Sequence, residues 1–152
     1  MKYEEKAEEL FRNGYNCSQA VFCAFADKMG IEERFALRLA SPFGGGMGRL
    51  REACGAVSGM FMVLGVLEGY EDAGDAEAKK ELYEKVQLLA GRFEKENGSI
   101  ICRELLGLQE KHSDPEPLKR TPEYYRVRPC AAKVRSAARI LEEYLNAEEA
   151  KL

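Results

Sequence analysis

At 152 residues, 45% of them hydrophobic and 32% charged, the chain has the size and composition of one ordinary globular domain, able to bury roughly 68–70% of the surface its unfolded form exposes. A formal net charge of -3 offers no basic footprint for phosphate and argues against a nucleic-acid partner. The charged start, Met1-Lys2-Tyr3-Glu4-Glu5-Lys6, lacks the apolar run of a secretory signal. The longest uncharged stretch, Ala53 to Leu67, is closed by Glu52 and Glu68 and falls short of the ~20 residues that span a bilayer. A cytoplasmic location without a membrane span is therefore expected. In that reducing compartment five cysteines should be free thiols unless they bind metal or do redox work.

Apolar residues at Tyr3, Ala7, Leu10 and Phe11 give a first amphipathic helix, stopped by Gly14. Asn16, with Gln19 three residues on, reads as a capping box, so a second helix starts at Cys17 and runs to near Gly30 with Ala20, Val21, Ala24 and Phe25 inward. Glu32 to Ala40 is a short third helix that Ser41-Pro42 breaks. The glycine-rich segment Phe43 to Arg49 leads into the uncharged helix. Asp75 caps a long fifth helix, striped by Ala78, Leu82, Val86, Leu89 and Phe93 and stopped by Gly98. Ser99 caps the next, Ile100 to Leu106, with Gly107 as its stop. From 108 to 128 no periodicity survives, and Pro115, Pro117 and Pro122 rule out a continuous helix. Pro129 suits the first turn of a last helix with Val134, Ala138, Leu141 and Leu145 inward. No stretch alternates as a half-buried strand would, so residues 1–152 are expected to form one all-α bundle of about six to seven helices.

The cysteines share a placement. Cys17 opens a helix, Cys54 lies early in one, Cys102 follows the capping Ser99 and Cys130 follows Pro129. Unpaired N–H groups in a first helical turn favour thiolate over thiol, and cysteines so placed can have pKa values of about 3.5–7.5. Cys23, six residues beyond Cys17, points about 120° away around the same helix. The spacing contains no Cys-x-x-Cys pair, and nothing in it brings the cysteines together. Free cysteines that merely fill space remain an alternative of equal weight.

Asn16-Cys17-Ser18-Gln19-Ala20-Val21, Phe43-Gly44-Gly45-Gly46-Met47-Gly48, Cys54-Gly55-Ala56-Val57-Ser58-Gly59, Ile101-Cys102-Arg103-Glu104-Leu105-Leu106-Gly107 and Cys130 occur in this order along nearly the whole chain. In this the chain resembles the small redox-active proteins named for a C…GCAxxG…C…C pattern, its own central core reading Cys-Gly-Ala-Val-Ser-Gly. The resemblance implies a redox role for four cysteines, Cys17, Cys54, Cys102 and Cys130, and names neither substrate nor cofactor.

Gly55 and Gly59, four apart, share a helix face that invites close approach by a neighbour, with Cys54 and Ser58 on the adjacent stripe. The run Gly44 to Arg49 could offer an anion-binding nest, with Arg49 and Arg51 adding charge, but it lacks a P-loop ending and reads better as a permissive turn that positions Cys54. His112, the one histidine, sits in a polar loop and leaves no hydrolytic triad. Tyr124, Tyr125, Arg126 and Arg128, just before Cys130, are candidates for a lid or a docked surface loop. Three readings stay open: a thiol redox protein with an unidentified redox partner and no cofactor, a four-cysteine zinc or iron–sulfur site on the same residues, and an interaction module with structural cysteines. A symmetric homodimer is the expected assembly.

Overall fold

Short polar side chains set the helix starts in the computed structural model, which describes all 152 residues. Asn16 accepts a hydrogen bond from the Gln19 amide at 2.9 Å, while its own amide donates to Gln19 Oε1 at 3.0 Å, so the expected capping box is formed. Asp75 Oδ1 accepts from the Ala78 amide at 2.9 Å in the same manner. The helices are α1 (Tyr3–Arg12), α2 (Cys17–Ala24), α3 (Ala26–Met29), α4 (Glu33–Ala40), α5 (Gly44–Met47), α6 (Gly55–Glu68), α7 (Ala76–Asn97), α8 (Cys102–Leu105), α9 (Pro122–Val127) and α10 (Cys130–Glu149). Six of them have eight residues or more, there is no strand, and the chain is a single all-α bundle. No helix is long and apolar enough to cross a membrane.

Helix α2 is the centre of the bundle, with α1, α4, α6 and α10 packed around it. Its Ala20, Val21, Phe22 and Ala24 are buried, and so are Val57, Met60, Val63 and Leu64 of α6 and Val134, Ala138, Leu141 and Leu145 of α10. Gly59 explains how α6 comes so near. A Cβ there would stand 2.9 Å from the Ser18 carbonyl oxygen, so only glycine allows this face of α6 to lie flush on α2.

Four expectations are corrected. The second helix does not run to Gly30, because the backbone leaves helical geometry at Phe25 (φ -100, ψ 11), whose buried ring stacks on Tyr3 at 4.2 Å. Ser99 is not the cap of α8: its hydroxyl accepts from the Ile101 amide and donates to Glu104, and the helix opens only at Cys102. Cys54 is the residue before α6, not one within it. The 108–128 segment contains α9, which Thr121 caps by accepting from the Tyr124 amide at 3.1 Å.

One piece of extended pairing cuts across the bundle. Ala53 and Ile101 form an isolated antiparallel bridge, with the Cys54 amide donating to the Ile100 carbonyl at 2.7 Å and the Cys102 amide to the Glu52 carbonyl at 2.6 Å. Side chains alternate along such segments, so Cys54 and Cys102 fall on one face, diagonally opposed.

Candidate functional site

Cys17, Cys54, Cys102 and Cys130 all line one cavity of about 300 Å³, although they come from four separate segments. Helix α2 presents Cys17 from its first turn, the Ala53–Ile101 bridge sets Cys54 and Cys102, and α10 brings Cys130 in from the far side. Cys23 does not reach the cavity. It is buried elsewhere, with its thiol 3.9 Å from the Glu33 carbonyl oxygen. The expected separation of Cys23 from the other four therefore follows from helix geometry.

Glycine makes room for the sulfurs. A Cβ on Gly55 would stand 2.4 Å from Cys17 Sγ, and one on Gly46 would stand 2.6 Å from Cys102 Cβ. The glycine-rich segment is more than a permissive loop. Its φ is positive at five consecutive residues from Gly45 to Arg49, and again at Arg51. Left-handed backbone costs a non-glycine residue roughly 1–2 kcal/mol, so Met47, Arg49 and Arg51 hold strain that the surrounding contacts must offset. The consequence for the site is that the Arg51 side chain turns inward. The turn's own amides hold its shape, Gly48 donating to the Gly44 carbonyl at 2.9 Å and Leu50 to the Met47 carbonyl at 3.1 Å.

Arg51 is 4% exposed, an unusual position for a guanidinium. Its Nε donates to Ser113 Oγ at 2.9 Å, and its Nη1 lies 3.6 Å from Cys102 Sγ. Arg120 closes the other side. It donates to the Phe11 carbonyl at 2.9 Å and the Tyr15 carbonyl at 3.1 Å, and it stacks over Phe11 with its carbon 4.3 Å from the ring centre. These bonds fasten the 108–128 segment over the cavity, where Pro115, Pro117, Leu118 and Tyr124 form its outer wall. Tyr124 and Arg128 belong to the site, whereas Arg126 pairs with Glu123 on the surface and His112 is exposed. Arg120 carried no signal in the sequence. Its role depends on main-chain carbonyls over a hundred residues away, which side-chain spacing does not encode.

Cys17, Cys54 and Cys130 are not the low-pKa groups that helix starts suggested. Burial raises Cys17, against the pull of the Gly45 amide, and negative charge on Cys102 adds to the rise. Burial pushes Cys130 up to about 11, with charge on Cys17 and Cys102 adding and Arg128 and Arg120 opposing. Cys54 is raised furthest, again by burial first and then by Cys17. Loss of water outweighs the helix-start amides here, and each thiol opposes ionisation of the next. No group of three or more Cys, His, Asp or Glu side chains stands in an arrangement that would hold a metal ion, so these residues do not fit a four-thiolate centre as placed.

No curated protein and no solved structure matches the chain. Residues 15–144 match the family described as "Putative redox-active protein (C_GCAxxG_C_C)", and with the four cysteines on that stretch lining one cavity, the chain belongs to the C_GCAxxG_C_C family.

Proposed function

We propose that this protein is a dithiol–disulfide redox protein that donates electrons from the cavity cysteines to a disulfide. The observation that carries the reading is the convergence of four cysteines from four segments on one cavity, beside a buried cation. Cys102 is the attacking thiol, since the Arg51 guanidinium at 3.6 Å favours its thiolate. Cys17 is the resolving thiol, because it is close enough to feel charge on Cys102 and its sulfur rests in the space left by Gly55. Cys102 attacks one sulfur of the substrate disulfide, the substrate S–S bond breaks, and the first substrate thiol leaves with the proton Cys102 gave up. Cys17 then attacks Cys102 Sγ, forming the protein disulfide and releasing the second thiol with the proton of Cys17. Two electrons pass from protein to substrate, and an external dithiol returns them.

Strong dithiol oxidants owe that character to a stabilised thiolate in the reduced form, and burial denies Cys17 that stabilisation, which suits a reduced protein that acts as donor. The test is a redox titration in glutathione buffers, with disulfides mapped by mass spectrometry and metal measured in parallel. A Cys17–Cys102 disulfide forming at reducing potentials is expected. Four thiols that stay reduced in oxidising buffer, or a stoichiometric metal on the reduced protein, would overturn the reading.

A further inference from the structure

Five cations line the cavity with the cysteines: Arg49, Arg51, Arg120, Arg128 and Lys133. No aspartate or glutamate lines it. The chain as a whole is net acidic, so this concentration of one sign is local.

None of the five is in an ion pair. Arg49 donates to the Asp114 carbonyl, Arg51 to Ser113, Arg120 to two carbonyls and Lys133 to Asn97 Oδ1, while Arg128 lies over the Tyr124 ring at 5.7 Å. Basic neighbours outside the cavity behave differently, Arg103 pairing with Glu52 and Arg126 with Glu123. The cavity therefore gathers positive charge that the protein does not neutralise. Low-dielectric walls strengthen such a field, and here they are supplied by Phe11, Leu105, Leu106, Pro117 and Leu118.

We infer that the cavity selects a small organic anion with an apolar body, and that the substrate disulfide carries carboxylates. The inference rests on the thiol–disulfide reading and adds the substrate's charge to it. A volume of about 300 Å³ sits at the low end for ligand pockets, which suits a compact molecule and no folded protein partner. Arg128 and Lys133 are the cations that meet the carboxylates. Both flank Cys130 and neither is held by the main chain or by a cysteine, whereas Arg51 is engaged with Cys102, and Arg49 and Arg120 with main-chain carbonyls.

Two disulfides of matched length separate charge from reactivity: 3,3′-dithiodipropionate, a dianion, and 3,3′-dithiodipropionamide, which is neutral. The rate at which each oxidises the reduced protein is divided by its rate with N-acetylcysteine amide. We expect the dianion to show an advantage of about tenfold or more. The advantage should shrink in high salt and fall toward that of the free thiol in the Arg128→Gln/Lys133→Gln double variant, whose fold is checked by circular dichroism. Equal normalised rates, or a faster neutral disulfide, would overturn the anion selectivity and leave the redox reading standing. Failure of both disulfides to oxidise the protein would remove both.

Discussion

Arg51 Nη1 lies 3.6 Å from Cys102 Sγ, and both residues are buried. A buried guanidinium without a carboxylate partner is costly, and on the thiol–disulfide reading proposed above the Cys102 sulfur is the group that would offset it. The cation next to the sulfur should then govern how fast Cys102 reacts as a nucleophile. Replacement tests this if the backbone can be kept, and asparagine tolerates the φ of 60 at this position better than most residues. Arg51→Asn should slow alkylation of Cys102 by about tenfold near neutral pH, because the charged contact to the sulfur is lost. Iodoacetamide time courses read by mass spectrometry measure it, and an unchanged Cys102 rate would show that Arg51 serves only structure.

The pH dependence of stability has a definite sign. Cys23 and Cys130 are raised from 9.0 to about 11, so above pH 9 the folded chain holds more protons than the unfolded one. Stability must then fall as pH rises, beginning near 9 and continuing toward 11. Tyr144, raised by burial and by the Glu68 carboxylate that its hydroxyl meets at 2.9 Å, adds to the same loss above pH 10. Urea midpoints at pH 8, 9.5 and 11 should decline in that order, and Cys23→Ala should decline less steeply. A flat profile would mean that these thiols are not buried as described.

Glycine substitutions separate close approach from helix propensity. Gly59→Ala sets a Cβ 2.9 Å from the Ser18 carbonyl and should cost about 1–3 kcal/mol. Gly91 lies within α7 with nothing inside 4 Å of its would-be Cβ, so Gly91→Ala should gain roughly 0.5–1 kcal/mol from helix propensity alone. Thermal or urea unfolding of the two variants measures both. A neutral Gly59→Ala would contradict the flush packing of α6 on α2.

Much of this architecture could be read from the sequence, because it is local. The Asn16–Gln19 box, the Asp75 cap and the inner faces of α1, α7 and α10 follow from residues three or four apart, and each stands where the pattern put it. Three features could not be read. The break at Phe25 depends on its ring packing against Tyr3 from another helix. The Ala53–Ile101 bridge is a two-residue contact between distant segments and has no period to detect. The third is the ionisation of the thiols: a first-turn position is visible in the sequence, but the burial that outweighs it belongs to the tertiary fold.

Arg120 offers a test of the segment that covers the site. Its guanidinium bonds to the Phe11 and Tyr15 carbonyls and stacks over Phe11, so it ties 108–128 to α1 and the turn after it. Arg120→Met keeps much of the stem and loses the charged hydrogen bonds, at a cost of about 2 kcal/mol. Hydrogen exchange should rise across 108–128 and stay unchanged in α6 and α7. Protection lost evenly over the whole chain would show a general stabilising role in place of a fastening one.

The last prediction separates the cavity cysteines from the fifth. Cys17, Cys54, Cys102 and Cys130 share one cavity, and charge on Cys17 or Cys102 raises the thiols around it. Coupled groups titrate as a set, so removing one must change the reactivity of the others. Cys23 lies outside that set, turned toward the Glu33 carbonyl and shifted by its own burial and by Glu33. Alanine at 23 loses one buried sulfur and leaves every residue that lines the cavity in place. We therefore expect Cys23→Ala to leave the redox titration and the alkylation rates of the other four within about twofold, for a change below about 0.5 kcal/mol. Serine at 17, 54, 102 or 130 should each shift the rates of the remaining three, most of all at 17 or 102, whose charge bears on both Cys54 and Cys130. Alkylation time courses at several pH values on the wild type and the five variants provide the comparison. If the four thiols react independently in every variant, the cavity only houses cysteines and does not couple them.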